Sequence, residues 1–341
     1  MKEQAEAIAR KLPRYVRVNT LVTTLKEQRA KLKESGHSFI PIKRVQPKRR
    51  KNDKKLDPRG YSEDPQIKNL LVFRPKGHSD LASIPSVQSG ELIIQQKASC
   101  FSGLALDPPV GGVVLDACAA PGSKTSHVAT LMKNTGTIYA FDRNPARVNT
   151  MNILLKQRGI TCVKGLAKNF LTTKPTEYPK VTHLMLDPSC STSGNSTEPH
   201  DDPADIAALA ENQLAVLKHA MQFPAAEVIV YSTCSIYAQE NEQVVYDALK
   251  GQGEHGWRLV KALPWWHRRG EPQPGLEDME HEACVRSLLE DKTIGFFLAK
   301  FVREPDAVRA ESTPKKLKKR KRPLDEPSDE GVVPQKSRQT C

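Results

Sequence analysis

Apolar and polar residues alternate over 15–20 (Tyr-Val-Arg-Val-Asn-Thr), the period of a strand with one buried face, and 25–34 has helical composition. Together they predict a small α/β unit. Residues 41–65 are rich in Lys, Arg, Pro and Asp with almost nothing apolar, so this stretch reads as a loop inserted into that unit. A further short strand is expected at 70–73, and 90–106 leads into a different pattern. From 111 onward, apolar runs near 113–116, 137–141, 182–186 and 227–231 alternate with segments of helical composition at 123–133, 145–158, 203–222 and 239–249. The block at 294–301 reads as a late strand. Alternation of this kind predicts a parallel sheet covered on both faces, because each parallel strand is reached through a crossover that lays a helix on the sheet. The expected fold class is therefore α/β: a doubly wound, mostly parallel, Rossmann-like sheet in 91–303, preceded by the small unit in 1–90. After 303 the chain turns to Pro, Ser, Lys and Glu, and 304–341 is expected to be an unstructured tail.

Charge changes the picture more than length does. The 341 residues carry a net +13, but 43–59 contributes +7 and 315–322 another +7, leaving the rest at −1. Two dense basic runs on a near-neutral body point to contact with a polyanion, or to a nuclear-targeting signal, and both favour the nucleus. There is no apolar stretch of membrane-spanning length, and residues 1–10 lack the apolar core of a secretory signal. Seven dispersed cysteines suit neither a disulfide framework nor a zinc site, and reduced thiols are expected.

The strand expected at 113–116 runs into Ala117-Cys118-Ala119-Ala120-Pro121-Gly122-Ser123-Lys124-Thr125 before a helix begins. Small residues at such a turn let backbone N–H groups approach a ligand, and the helix N-terminus favours a negative group. A nucleotide phosphate loop is disfavoured, because Gly122 is followed by Ser123 and the Gly-Lys-Ser/Thr ending is missing. Asp142 closes the next strand, where an acidic side chain accepts from both ribose hydroxyls of a nucleoside cofactor. Lys124 and Arg147 are candidates to meet the carboxylate of a methionine moiety. The plainer alternative is a tight turn with helix-capping charges.

Asp-Ala-Cys-Ala-Ala-Pro-Gly-Ser-Lys-Thr (116–125) resembles the S-adenosylmethionine-binding motif of the Sun-domain family of RNA cytosine-5 methyltransferases. Asp-Pro-Ser-Cys-Ser (187–191) and Ser-Thr-Cys-Ser (232–235) resemble that family's two cysteine motifs, in the family's order. Arg-Val-Asn-Thr-Leu (17–21), Ile-Gln-Gln-Lys-Ala-Ser-Cys (94–100) and Asp-Pro-Pro-Val-Gly-Gly (107–112) resemble its member-five branch, which methylates large-subunit ribosomal RNA. The resemblance covers about 12–302. It implies a cofactor site of Cys118, Ala119, Ala120, Pro121, Gly122, Ser123, Lys124, Asp142, Arg147, Asn169 and Asp187, with S-adenosylmethionine bound. It also implies ribosomal RNA in a pre-ribosomal particle as partner, a nucleolar location, a monomer and no membrane.

The chemistry of the target explains two cysteines. Carbon 5 of cytosine is a poor nucleophile until a thiolate adds to carbon 6 and turns the ring into an enamine. A base must then remove the carbon-5 proton so that the thiol can be eliminated. Both cysteines directly follow expected parallel strands, whose carboxyl ends are where open α/β sheets bind ligands. They can therefore converge across 44 residues. The sequence alone does not decide which attacks. The resemblance assigns attack to Cys234 and release to Cys190, and Asp187 is placed to touch the cytosine edge or the methyl donor.

The chain departs from the family pattern at two points. Asn169 stands where an Asp usually precedes Phe-Leu, and Ser191-Thr192-Ser193-Gly194 stands where Ser-Gly-Ser-Gly is usual. The amide oxygen of Asn169 can still accept from an adenine amino group, whereas Thr192 removes backbone freedom beside the base. Altered binding rather than inactivity is expected. A target cytosine must be single-stranded or flipped, and Arg14, Arg17 and the 43–59 loop are the expected RNA-positioning surface. Trp265, Trp266, His267, Arg268 and Arg269 suit stacking and phosphate contact, with core packing of one tryptophan as the alternative. Rival functions are methylation of another RNA such as transfer RNA, and a non-catalytic ribosome-assembly factor. A DNA cytosine-5 methyltransferase would usually carry a Pro-Cys dipeptide, and here Ser189 intervenes.

Overall fold

The computed structural model describes residues 12–41, 59–74, 81–195, 202–250 and 256–304. Nearly all of the basic loop at 43–59 and the tail at 304–341 lie outside these residues. The N-terminal unit holds β1 (Arg14–Val18), α1 (Leu25–Glu34), β2 (Ser38–Phe39), β3 (Gly60–Glu63), β4 (Leu70–Phe73), a single-turn α2 (Pro85–Gln88) and β5 (Leu92–Ile94). Its sheet has the order β2-β3-β4-β1-β5 and is antiparallel except between β2 and β3. The α1 helix starts where the Thr24 side chain accepts from Glu27 N and Glu27 reaches back, a reciprocal cap that satisfies two otherwise orphaned donors. Because Leu92–Ile94 pairs with β1, the N-terminal sheet extends past the boundary expected at residue 90.

The second unit opens with α3 (Lys97–Leu106) and continues through β6 (Val113–Asp116), α4 (Ser123–Leu131), β7 (Thr137–Asp142), α5 (Pro145–Gln157), β8 (Val163–Ala167) and β9 (His183–Leu186). It is completed by α6 (Pro203–Ala220), β10 (Val228–Thr233), α7 (Glu242–Leu249), β11 (Trp257–Val260), β12 (Val285–Ser287) and β13 (Phe296–Arg303). Its strands lie in the order β11-β13-β10-β9-β6-β7-β8, with β12 beside β13. Strands β10, β9, β6, β7 and β8 are mutually parallel, and β13 is antiparallel to its neighbours. This is the expected doubly wound sheet.

Alternate residues of each strand enter opposite cores. Val114, Met185 and Val230 pack with Phe101, Val128 and Met151 of α3, α4 and α5, whereas Leu115, Leu186 and Tyr231 pack with Leu217 and Val245 of α6 and α7. The chain runs β6-β7-β8 to one side and β9-β10 to the other, so the crevice between β6 and β9 is the switch point of the sheet. No helix among the described residues is long and apolar enough to cross a membrane.

The two units are braced by buried polar contacts. Arg17, expected on an RNA surface, is 3% exposed. It donates to Gln95 Oε1 (2.8 Å), Ser126 Oγ (2.9 Å) and Thr130 Oγ1 (3.2 Å), joining β1 to the α4 helix. Nearby, Lys97 meets Asp64 at 2.8 Å and Tyr15 Oη donates to the Lys292 carbonyl. The polar position in an alternating strand faces the other unit rather than solvent.

Candidate active site

The carboxyl ends of β6, β7, β9 and β10 deliver Asp116, Asp142, Asp187 and Cys234 to one edge of the sheet. A cavity of about 620 Å³ opens there, lined at one end by Cys118, Ala120 and Asp142 and at the other by Asp187, Cys190 and Cys234. Lys124, Arg147 and Asn169 also line it.

The turn after β6 is held tightly. Ala119 N donates to Phe141 O, and Gly122 N to Ala119 O, while Thr125 Oγ1 donates to Asp116 Oδ2 at 2.7 Å. Gly122 adopts φ +93°, and a Cβ there would sit 2.7 Å from Met151 Cγ, so this position requires glycine. Pro121 precedes it in the turn and Ser123 opens α4. Asp142 Oδ1 accepts from Asn144 N and its Oδ2 lies 3.3 Å from Arg147. Arg147 also donates to the Ala120 carbonyl, and Lys124 Nζ lies 2.7 Å from Asp187 Oδ2. Both cations expected to meet a methionine carboxylate are thus engaged by the chain's own oxygens. Asn169 Oδ1 caps a short turn by accepting from Leu171 N. These residues fit a nucleoside methyl donor: the Asp142 carboxylate ends β7 on the cavity wall, where it can accept from ribose hydroxyls, and the small side chains of Cys118 and Ala120 line the same wall.

At the other end, the Sγ atoms of Cys190 and Cys234 lie 3.2 Å apart. Their loops are stitched together by Gly194 N donating to the Cys234 carbonyl and Ile236 N to Ser193 Oγ. The shared sulfur hydrogen bond, helped by the Thr192 and Cys234 amides, holds the Cys190 thiol below its ordinary value despite burial. The same bond, with burial, pushes Cys234 well up, and only the Lys124 charge favours its thiolate. The pair therefore releases one proton readily and the second with difficulty. Burial tends to pull Lys124 down, but the charge and hydrogen bond of Asp187 outweigh it and raise the ammonium. Ser232 Oγ donates to Asp187 Oδ1 at 2.9 Å, so the carboxylate is fixed from both sides. By contrast burial pushes the Cys100 and Cys118 thiols up to about 12, and Cys162 and Cys284 up as well, which leaves them without thiolate character.

Several other placements differ from the sequence reading or add to it. Trp266 is core, its Nε1 donating to the Arg286 carbonyl, whereas Trp265 is 41% exposed. Arg268 and His267 are tied to Asp291, and Arg269 donates to the carbonyls of Ala262 and Ala283, so these side chains are held by the protein instead of being offered to phosphates. Thr192 occupies φ +55°, the left-handed region that glycine would occupy without strain. Sequence reasoning passed over Gln213 and Glu240, which contact the backbone on either side of Cys190. Gln213 had a signal, since it is a polar residue in the buried stripe of α6 with Ile206, Val216 and Leu217.

Residues 103–302 match the family described as 16S rRNA methyltransferase RsmB/F, and residues 12–95 match the ferredoxin-like domain of NOL1/NOP2/Sun domain family member 5. The chain is similar to a mouse 28S rRNA (cytosine-C(5))-methyltransferase, 39% identical over 306 residues, covering 86% of this chain and 63% of that protein. It is 34% identical to the Caenorhabditis elegans 26S rRNA (cytosine-C(5))-methyltransferase nsun-5, covering 89% of this chain and 70% of the relative. The chain thus spans less than two thirds of the mouse relative's length. A crystal structure of a methyltransferase homolog protein from Pyrococcus horikoshii superposes with a TM-score of 0.69 at 27% identity, covering 88% of this chain and 90% of that one. With both segments matched in this order, the chain belongs to the RsmB/F methyltransferase family, on the branch that carries the member-five ferredoxin-like domain.

Proposed function

We propose that the chain transfers a methyl group from S-adenosylmethionine to carbon 5 of a cytosine in large-subunit ribosomal RNA, through a covalent cysteine–cytosine adduct. The observation that carries this reading is the 3.2 Å approach of Cys190 and Cys234 in the same cavity as Asp142 and the Gly122 turn. The methyl donor supplies, when bound, an electrophilic sulfonium methyl. Asp142, the 118–124 turn and Asn169 would hold its nucleoside end.

Cys234 attacks carbon 6 as its proton passes across the 3.2 Å sulfur contact to Cys190, the more readily ionised of the pair, with Lys124 supplying the nearby positive charge. Asp187, fixed by Ser232 and Lys124, accepts from the exocyclic amine of cytosine. A uracil, with a carbonyl at that position, would face the carboxylate lone pairs, so Asp187 also selects the base. Carbon 5, made nucleophilic by the addition, takes the methyl. Cys190, after passing its own proton to solvent, removes the carbon-5 proton as a thiolate; the electrons reform the ring double bond and expel Cys234.

The target nucleotide enters single-stranded or flipped, since a stacked base hides carbon 6. The N-terminal unit and the exposed Trp265 form the RNA-facing side. The 43–59 and 315–322 runs either add electrostatic affinity for RNA or direct the chain to the nucleus. The chain works as a monomer in the nucleolus, on ribosomal RNA within a pre-ribosomal particle.

Bisulfite mapping of large-subunit ribosomal RNA with and without the gene tests this. One or more cytosines should lose their protection when the gene is absent. Unchanged protection throughout that RNA, with a loss in transfer RNA, would move the substrate to transfer RNA. No loss in any RNA would leave a non-catalytic binding factor.

A further inference from the structure

Cys190 lies on a loop with no regular structure of its own, between the end of β9 and the short turn at Ser193–Asn195. Within that loop the Thr192 amide reaches the Cys190 sulfur but does not hold the peptide groups beside it. Its two flanking peptide groups are nevertheless both held, and from outside the loop. The Ser189 carbonyl accepts from Gln213 Nε2 at 3.0 Å, and Ser191 N donates to Glu240 Oε1 at 2.9 Å. The second Nε2 proton of Gln213 goes to the same Glu240 oxygen, at 2.8 Å. Tyr231 Oη directs its one proton between Gln213 Oε1 and the Glu240 carbonyl, at 3.2 and 2.5 Å.

Gln213, Tyr231 and Glu240 are all 0% exposed. They come from α6, β10 and the turn Ala238–Glu240 that follows the Cys234 loop. A buried carboxylate is costly to keep, and the other oxygen of Glu240 has no partner among the described residues. The use its burial serves is the grip on Ser191 N and Gln213.

We propose that Gln213 and Glu240 are positioning residues for Cys190, clamping the peptide groups on both sides of it so that its sulfur meets the adduct at carbon 5. This inference rests on the assignment of Cys190 to release. Loss of the clamp lets the 190 loop shift while leaving the Cys234 loop, Lys124 and Asp187 in place. Attack and methyl transfer then continue, and elimination slows. Misplacement of a reacting group by about 1 Å can cost on the order of 100-fold in rate.

The test uses the full chain with labelled large-subunit ribosomal RNA and S-adenosylmethionine, reading covalent protein–RNA adduct on a denaturing gel and its decay after a chase. Glu240→Ala and Gln213→Leu should accumulate adduct, with decay about 10- to 100-fold slower than wild type. Glu240→Gln should release at close to the wild-type rate, because its amide oxygen can still accept from Ser191 N and Gln213. Gln213→Leu keeps the side-chain volume and leaves the Glu240–Ser191 bond, so it carries the test if Glu240→Ala does not fold. A merely structural role would depress attack and release together and would build up no adduct. Cys190→Ala runs beside them. If it traps RNA while both clamp variants release normally, the clamp is overturned and the division of labour stands. If Cys190→Ala itself traps nothing, the release assignment fails and the clamp falls with it.

Discussion

Asp116 and Thr192 show how single residues near the site are held away from their preferred states. Burial raises the Asp116 carboxyl to about 7 against the Thr125 hydroxyl bond, which favours the charged form, and the Asp187 charge raises it further. In the unfolded chain the group ionises near 3.8. Between these values the folded state keeps a proton that the unfolded state has lost, so stability falls as pH rises from about 4 to about 7. At about 1.4 kcal/mol per pH unit the full effect is on the order of 4 kcal/mol. Urea unfolding of wild type and Asp116→Asn should diverge across that window, with the variant flatter; parallel curves would mean that Asp116 is ionised throughout. Thr192, a β-branched residue at φ +55°, carries strain that Thr192→Gly relieves. After allowing for the greater freedom of glycine in the unfolded chain, the variant should gain about 1 kcal/mol, read as a higher unfolding midpoint. Some of this was legible in the sequence: Thr192 stood out against the glycine of the family pattern. Gln213 showed only as a polar position in an apolar stripe and Glu240 not at all, because their partners at Ser189 and Ser191 lie 24 and 49 residues away along the chain.

Among the elements, those with a clean apolar run or a capped start were readable. The α1 and β6 bounds match the pattern because Thr24 and Glu27 cap one and an unbroken Val-Val-Leu precedes Asp116 in the other. The α3 helix escaped because eight of its ten residues are buried, which erases the 3.6-residue period on which an amphipathic reading depends. The β8 strand escaped because Gly165 interrupts it and none of its residues is fully buried. The turn into α4 is the element on which the proposed cofactor site depends. Gly122→Ala forces a side chain into left-handed backbone and against Met151. It should cost about 1–3 kcal/mol of stability and weaken S-adenosylmethionine binding in calorimetry. Wild-type affinity in the folded variant would remove the turn from the cofactor site.

At the scale of the molecule, the buried Arg17 ties the N-terminal sheet to the helix that follows the cofactor turn. Burial lowers its guanidinium to about 10, and its three side-chain acceptors are neutral oxygens. Arg17→Ala leaves Gln95, Ser126 and Thr130 without that partner and should cost about 2–4 kcal/mol in urea unfolding. A loss below about 0.5 kcal/mol would show that the brace is dispensable. The sequence placed Arg17 at the polar position of an alternating strand and so on an RNA surface, since a face turned towards a second unit and one turned towards water have the same pattern. The central claim is that two sulfurs 3.2 Å apart divide the making and breaking of one bond to RNA. The most direct measurement is a denaturing gel of Cys190→Ala and Cys234→Ala incubated with labelled ribosomal RNA and S-adenosylmethionine. A slow-migrating covalent species is expected for Cys190→Ala and none for Cys234→Ala. Adduct with Cys234→Ala alone would reverse the roles, and normal turnover by both variants would contradict covalent catalysis by this pair.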